Sequence, residues 1–487
     1  MPPQSSHPHS SPFSGPEPAQ TSVLQPRRLV LCFDGTGNQY MGTEEDTNIV
    51  KIYESLERHK PGQYAYYQPG IGTLTYVRGS SRQTSGFSLW TRFKARVSAL
   101  LDQGIGASFA SHLIAGYKFI MRYYSTGDHI YIFGFSRGAY TARFLAEMIH
   151  NIGLLSRGNE EMVPFAWDTF SRYQSSRGNM PQTEEDRQLA RYMHKFKTTF
   201  CRPDVGVHFL GLFDCVNSVG QFEIPFFRKS YRYIASPSAR HIRHAVSIHE
   251  RRLKFKPALF HIDPKDKDSV DLKEVWFAGN HGDIGGGWPL TKGQKHLLSD
   301  IPLHWMIQEV LNLPESDSKL EFMPAKVENM KKDATHSLCR DEEPGTDAYH
   351  IAQKTHKPHD KLRFGHGGSA LSVMLWWILG SFPRFPIYLF FHSNVTPPTT
   401  EVLPFATRLE LEKGKWVPRR LPPNFGASRD IPCGATIHTS VNEMLESGIL
   451  DDFPVPKPGG DNPNLPPSLV DDDRRHMQKR RDGASSP

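Results

Sequence analysis

A serine between two glycines is the strongest chemical signal in the sequence. Residues 134–138 read Gly-Phe-Ser-Arg-Gly, which matches the pattern G-x-S-x-G around Ser136. An apolar run precedes this motif and a helical pattern follows it. In such a strand–turn–helix setting the serine hydroxyl is exposed above the end of a sheet and can act as a nucleophile. Gly134 and Gly138 allow the tight turn, and the amide of Arg137 points into the site.

A serine hydroxyl is a poor nucleophile at neutral pH unless a base activates it. In hydrolases of this kind the acid and the histidine follow the serine along the chain. Asp214 and His281 each follow an apolar run that predicts a strand, so both are expected at the carboxyl edge of the sheet. We therefore predict a triad of Ser136, Asp214 and His281. Asp283 is the alternative acid, although it can equally brace its glycine-rich turn.

Several histidines could act as the base that activates the serine, because the chain has 23 of them. His281 is favoured by its place after a strand and before a flexible glycine loop. His244 and His249 lie in a basic stretch that we expect to be helical. We interpret these two as surface or core histidines.

Backbone amides are needed to hold the oxyanion of an acyl-transfer reaction. One is expected from Arg137, and a second usually comes from the loop after an earlier strand. Residues 34–37, Asp-Gly-Thr-Gly, form that loop, so Gly35 or Thr36 is the predicted second donor. The alternative is that this loop merely closes a turn.

Strand-like runs and helical patterns alternate along the first 150 residues. The runs lie at 28–33, 64–68 and 129–134, and the helical patterns at 49–56, 106–124 and 139–149. This alternation predicts an α/β fold, a mostly parallel sheet with helices on both faces. Residues 156–200 are polar and helix-prone, which indicates an insertion or a cap.

Proline content and hydrophobic patterning suggest the domain boundaries. We predict a disordered tail at 1–28, a catalytic domain at 29–310, a C-terminal extension at 311–450 that packs on it, and a second disordered tail at 451–487. The extension contains the apolar segment 371–391, which Gly380 and Pro383 interrupt. A single membrane-spanning helix is therefore not expected there, and a lid, a membrane-docking surface and ordinary core remain open.

Composition excludes several classes of protein. A hydrophobic share of 38% is enough for a sizeable core, and the five cysteines include no C-x-x-C pair. Zinc ribbons and a disulfide framework are therefore not expected, and the predicted triad requires no metal or cofactor. Residues 1–20 contain no apolar signal-peptide core, so we expect a cytoplasmic protein, with peripheral membrane contact as a further expectation.

The net charge of +7 is concentrated in one stretch. Residues 224–256 contain nine Lys or Arg and one acid, Glu250. This stretch predicts either a solvated helix face or a basic rim that attracts anionic lipid headgroups. Nucleic-acid binding is not expected, because a mild net charge without a basic face is insufficient.

Four segments together resemble a known family. They are Phe-Asp-Gly-Thr at 33–36, Gly-Phe-Ser-Arg-Gly-Ala at 134–139, Gly-Leu-Phe-Asp at 211–214 and Trp-Phe-Ala-Gly-Asn-His-Gly-Asp-Ile-Gly-Gly-Gly at 276–287. The sequence resembles the type VI lipase effector-like catalytic domain, an α/β-hydrolase family of bacteria and fungi that includes secreted phospholipase effectors. Residues 243–245 and 250–252 also resemble the family's basic helix.

The resemblance implies a fungal-type serine hydrolase with a triad at Ser136, Asp214 and His281. The predicted substrates are carboxylic esters, above all lipid or phospholipid acyl esters. A thioesterase or peptidase on the same triad is an alternative, and so is a catalytically silent binding protein. A phosphatase of the haloacid dehalogenase type is disfavoured, because Cys32 stands where that family needs an acid two residues before Asp34.

Overall fold

The computed structural model describes part of the chain. The described residues are 26–70, 104–176, 183–216, 238–252, 255, 257–260, 270–290, 296–314, 319–327, 357–362, 408–412, 415–419, 429, 431, 435–450 and 469–470. The predicted apolar segment 371–391 and most of both predicted tails lie outside them. No helix in the described ranges combines the length and the apolar character needed to cross a bilayer.

Twelve strands and eight helices can be placed in these ranges. The strands are β1 (Arg28–Phe33), β2 (Gln63–Gln68), β3 (His129–Phe135), β4 (Leu154–Leu155), β5 (Cys201–Arg202), β6 (Val207–Phe213), β7 (Ala239–Ser247), β8 (Asp271–Phe277), β9 (Arg408–Glu412), β10 (Lys415–Arg419), β11 (Thr436–His438) and β12 (Leu469–Val470). The helices are α1 (Asn48–Ser55), α2 (Gly104–Tyr123), α3 (Arg137–Ile152), α4 (Val163–Ser176), α5 (Glu184–Phe200), α6 (His281–Gly285), α7 (Asp300–Leu311) and α8 (Thr439–Glu446).

The central sheet has eight strands in the order β12-β11-β8-β7-β6-β3-β1-β2. Every neighbouring pair is parallel. The strand order reverses between β1 and β3, and in open α/β sheets ligands bind at the carboxyl ends beside such a reversal. The predicted α/β fold with a parallel sheet is confirmed.

Two hydrophobic cores lie on opposite faces of the sheet. Leu29 and Leu31 of β1 belong to the core formed with α2 and α3. Val30 and Cys32 belong to the core formed with α1 and α7. This division follows from the two-residue period of a strand, and it explains why β1 is apolar at nearly every position.

Residues from the predicted extension (β11) and from the predicted C-terminal tail (β12) take part in this sheet. β11 pairs with β8, and β12 pairs with β11 in turn. The edge of the sheet beyond β8 is therefore built by residues that follow position 310. The division of the chain into tails, catalytic domain and extension remains a prediction.

The helix-prone region 156–200 contains α4 and α5, which lie on the same side of the sheet as α2 and α3. Phe170 of α4 lies 6.3 Å from Phe144 of α3, and Trp167 lies 6.3 Å from Phe109 of α2, measured between ring centroids. α4 and α5 therefore pack against the helices that cover the sheet, as an insertion would.

The described part of the basic stretch is a strand, so the predicted helix at 243–245 is wrong. Arg243 and His244 lie in β7, between β6 and β8. A strand in the middle of a parallel sheet is buried on both faces, so its polar side chains must find partners inside the protein. His244 donates from Nδ1 to Oε1 of Glu274 at 2.8 Å.

Arg243 and Arg252 do not contribute to the predicted basic rim, which otherwise remains a prediction. Arg243 is buried, with Asp271 2.9 Å away and Glu309 also bound. Arg252 donates to Glu250 at 2.7 Å. Internal pairing of this kind offsets the charge that an anionic lipid surface would otherwise meet.

His208 should make the fold sensitive to acid. Burial, together with the neighbouring charges of His129 and His241, lowers the pKa of His208 to about 3. An unfolded chain takes up this proton near pH 6.5, whereas the folded chain does not until about pH 3. The free energy of unfolding should therefore fall as pH decreases between these values.

Urea unfolding at a series of pH values would measure this effect. We expect His208→Gln to lose part of the decline that the native protein shows between pH 7 and pH 4.5. The exposed His59 supplies the matched control, His59→Gln. Equal pH slopes for the two variants and the native protein would contradict the prediction.

Candidate active site

Ser136 occupies a strained turn between β3 and α3. Its φ is 59° and its ψ is −121°, in a region that non-glycine residues rarely adopt. The amide of Ser136 donates to the carbonyl of Phe213 at the end of β6, at 3.0 Å. The strand–turn–helix setting predicted for the G-x-S-x-G motif is therefore the one observed.

The two glycines of the motif are required by close packing. A Cβ on Gly138 would lie 2.3 Å from the carbonyl oxygen of Phe33 in β1. A Cβ on Gly134 would lie 2.5 Å from the Cα of Ala139. Real side chains do not approach backbone this closely, so the turn can pack on β1 only with glycine at both positions.

Asp214 follows β6 and is fully buried. Its amide donates to the carbonyl of Ala245 in β7 at 2.7 Å, and its φ is 40°. The next amide, of Cys215, donates to Nε2 of His244 at 3.1 Å. His244 thus holds the turn that carries Asp214.

His281 is the first residue of α6, and a capping box determines where that helix begins. The side-chain oxygen of Asn280 accepts from the amides of Gly282 and Asp283, and Asp283 accepts from the amide of Asn280. His249 supports the preceding turn, because its Nδ1 accepts from the amide of Gly279 at 2.8 Å.

Asp283, the alternative acid, is bound elsewhere. Besides closing the capping box, its carboxylate accepts from the backbone amide and Nδ1 of His359, at 3.0 and 2.6 Å. The ring of His359 stacks on Trp288 with the centroids 4.1 Å apart. Asp283 therefore braces the loop after His281, the second of the two roles that its position suggests.

Ser136, His281 and Asp214 form a continuous hydrogen-bonded chain. The Oγ of Ser136 lies 2.7 Å from Nε2 of His281, and Nδ1 of His281 lies 2.5 Å from Oδ2 of Asp214. An ionised carboxylate can only accept, so Nδ1 carries the proton and donates to Asp214. The neutral Nε2 is then free to accept from the serine hydroxyl.

The electrostatic environment keeps the imidazole neutral and the carboxylate ionised. Burial lowers the pKa of His281, and the bond to Asp214 opposes this shift only in part. Burial alone would raise the pKa of Asp214, but the charge of Arg429 and the bond from His281 hold it well below its ordinary range. The rings of Phe135 and Phe255 contact the imidazole at centroid distances of 4.7 and 4.8 Å.

A second buried carboxylate supports the backbone of His281. Oε2 of Glu250 accepts from the amide of His281 at 3.2 Å. Burial would raise the pKa of Glu250, but the paired Arg252 outweighs it and lowers that pKa to about 2. Glu250 is therefore ionised at neutral pH and stabilises the start of α6.

The loop after β1 lies next to the strand that carries Ser136. A Cβ on Gly35 would be 2.7 Å from the ring of Phe135. The amide of Gly35 donates to its neighbour Asp34 at 2.7 Å. Of the two predicted amide donors, that of Gly35 is therefore already engaged, and the amide of Thr36 is the one that we carry into the proposal.

Asp34 organises this loop. Its carboxylate also accepts from the hydroxyls of Thr47 and Tyr67, at 2.8 and 2.7 Å. Burial raises the pKa of Asp34 to about 6, although these bonds act in the opposite direction. In the described part of the chain, no three His, Cys, Asp or Glu side chains are arranged to hold a metal ion.

Sequence reasoning missed Arg429, Ser247 and Glu250 as neighbours of the predicted triad. Arg429 lies between Pro- and Gly-containing segments without a strand or helix pattern, so nothing marked it. Glu250 had a usable signal, because it is the one acid in the basic stretch 224–256.

Comparison with known proteins identifies the family. Residues 27–309 match the family described as "T6SS, Phospholipase effector Tle1-like, catalytic domain". The match spans more than half of the chain. This chain belongs to that family. The resemblance predicted from four short segments is therefore confirmed, with nearly the same boundaries.

Similar proteins include one curated relative. The "Uncharacterized protein YEL023C" of Saccharomyces cerevisiae (strain ATCC 204508 / S288c) is 40% identical over 241 residues. That alignment covers 48% of this chain and 33% of the yeast protein, so the chain spans about a third of the length of this relative.

Two solved structures are more distant. A crystal structure of an uncharacterized protein from Pseudomonas aeruginosa is 16% identical, with a TM-score of 0.31, and the match covers 68% of this chain and 52% of that one. The structure of the Tle1 effector bound to the VgrG spike from the Type 6 secretion system is 18% identical. Its TM-score is 0.30, and the coverage is 54% of this chain and 52% of that one.

Proposed function

We propose that this protein is a serine ester hydrolase that cleaves lipid or phospholipid acyl esters. The observation that carries the proposal is the chain of bonds from Ser136 through His281 to Asp214, at 2.7 and 2.5 Å. Membership of a phospholipase-type family supports the hydrolase class. A catalytic triad is recognised by the geometry and the roles of its three groups rather than by their positions in the sequence.

The proposed reaction is acyl transfer in two steps. The Oγ of Ser136 attacks the ester carbonyl carbon while its proton moves to Nε2 of His281. Asp214 orients the imidazole and stabilises its charged form. The tetrahedral intermediate collapses, the leaving alkoxide takes the proton from His281, and an acyl-serine remains. His281 then takes a proton from water, whose oxygen attacks the acyl group, and the acid is released with the serine hydroxyl restored.

Oxyanion stabilisation is assigned to the start of α3 and the loop after β1. The amide of Arg137 lies in the first turn of α3, where backbone N–H groups have no partner within the helix. The backbone amide of Thr36 supplies the second donor in this proposal. Each such donor is worth about 3 kcal/mol of transition-state stabilisation.

Fluorophosphonate labelling and an ester panel would test the function. We expect an active-site fluorophosphonate to label the protein at Ser136, located by peptide mass spectrometry. We also expect hydrolysis of phospholipid vesicles and of short acyl esters. Ser447→Ala, at an exposed serine after α8, is the control that should label normally.

The panel also separates the alternatives. Absence of labelling in a folded protein would favour a silent binding protein and would overturn the proposal. Turnover of thioesters or amides, with esters left intact, would retain the triad and overturn the substrate class. The cytoplasmic location and peripheral membrane contact remain predictions.

A further inference from the structure

Arg429 forms a two-point contact with the proposed catalytic acid. Its Nη1 donates to Oδ1 of Asp214 at 2.5 Å, and its Nη2 donates to Oδ2 at 3.0 Å. A planar guanidinium matches the geometry of a carboxylate, so this paired contact defines orientation as well as distance. Arg429 lies beyond residue 309, outside the part of the chain that matches the family.

The guanidinium is itself held in place by backbone. Nη1 donates to the carbonyl of Ser247 at 3.1 Å, and Nη2 donates to the carbonyl of Phe255 at 2.5 Å. The Arg429 side chain is only 5% exposed. The ring of Phe255 also contacts the ring of His281, so this one residue touches both the arginine and the imidazole.

We propose that Arg429 is a positioning residue that orients Asp214 and limits the basicity of His281. The inference depends on the proposed function, because it assigns a role within that triad. In this proposal a residue from the predicted extension 311–450 completes the proposed active site.

Orientation is the first part of this role. Apart from Arg429, the described donors to Asp214 are the amide and hydroxyl of Ser247 and Nδ1 of His281, at 3.0, 3.3 and 2.5 Å. Without the guanidinium, Oδ1 of Asp214 retains only the amide of Ser247 among these donors. The carboxylate then gains freedom to turn about its Cβ–Cγ bond. A misdirected carboxylate would hold the imidazole poorly and slow the proton transfer.

Charge is the second part. A fixed positive charge on Asp214 offsets part of the pull that the carboxylate exerts on a proton at His281. The imidazole then stays neutral, and able to act as a base, at a lower pH. Loss of this charge should raise the pKa of His281 and move the acid limb of kcat/KM to higher pH.

Kinetics of Arg429→Gln on the ester substrate would test both parts. We expect kcat to fall roughly 10- to 100-fold, as when partners that orient a catalytic group are removed, with KM nearly unchanged. The acid limb of kcat/KM should shift to higher pH. Arg429→Lys keeps the charge without the paired contact, so it should keep the native pH profile while losing kcat.

Chemical rescue separates positioning from a purely structural role. Millimolar guanidinium should restore part of kcat in Arg429→Ala, since the ion can occupy the vacated site. Arg202→Gln is the matched control, because Arg202 donates to the carbonyls of Met121 and Tyr124 and should leave kcat and the pH profile unchanged.

Two results would overturn the inference. One is native kcat and a native pH profile in folded Arg429→Gln. The other is a loss of activity in Arg429→Gln with no shift in its pH profile, together with no rescue of Arg429→Ala by guanidinium. If Arg429→Gln does not fold, the other two variants decide. Native kcat in Arg429→Lys, or no rescue of Arg429→Ala by guanidinium, would then overturn the inference. Native turnover by Ser136→Ala would instead overturn the proposed function, whatever the Arg429 variants show.

Discussion

Ser136→Ala should reduce kcat on the best ester substrate by about 10⁵- to 10⁶-fold, the loss typical of removing a catalytic serine. The residual rate would come from oxyanion donors and substrate binding, which do not need the hydroxyl. Circular dichroism and urea unfolding should be nearly those of the native protein, because the backbone turn is held by the bond to Phe213 and by the flanking glycines. Retention of more than a few per cent of native kcat would contradict the assignment of the nucleophile.

Ser136→Gly is the matched partner of this variant. Both changes remove the hydroxyl, but glycine adopts the φ of 59° without a Cβ clash. Backbone strain at such positions costs about 1–3 kcal/mol, and the extra flexibility of glycine offsets part of the gain. We expect Ser136→Gly to be inactive and about 1 kcal/mol more stable than Ser136→Ala. Equal or lower stability of the glycine variant would mean that the turn stores no strain.

Asp214→Asn should lower kcat by about 10⁴-fold, because an amide does not fix the imidazole in the tautomer that accepts from the serine. It should also destabilise the fold. Arg429 would keep a buried positive charge without its counter-ion, and breaking a buried pair in this way costs about 3–5 kcal/mol. Steady-state kinetics and urea unfolding of the same preparation would measure both effects.

Two comparisons separate these effects of Asp214→Asn. Combining it with Arg429→Met removes the unpaired charge, so stability should recover while activity should not. Asp283→Asn leaves the bond between His281 and Asp214 intact, so its kcat should fall by about tenfold at most. A 10⁴-fold loss in Asp283→Asn, with only a small loss in Asp214→Asn, would transfer the role of acid to Asp283.

The part of the fold that sequence reasoning predicted well is the part governed by local pattern. β1 and β3 are short apolar runs that end in polar turns, and each lies within one residue of its predicted bounds. The helix predicted at 243–245 is wrong, because Arg243 and His244 look like surface residues until Asp271 and Glu274 of β8 are known to face them. A buried polar strand gives no apolar run, so its partners become visible only when the neighbouring strand is in place.

The sequence by itself determined the fold class, the family and the three candidate residues at the ends of β3, β6 and β8. It could do so because strand ends and tight glycine turns are set by neighbours in the chain. Tertiary structure alone decided which acid meets His281, how the loop after β1 divides its hydrogen bonds, and that Arg429 reaches Asp214. The first and the last of these choices depend on contacts between residues 67 and 215 positions apart, which chain order and spacing do not specify.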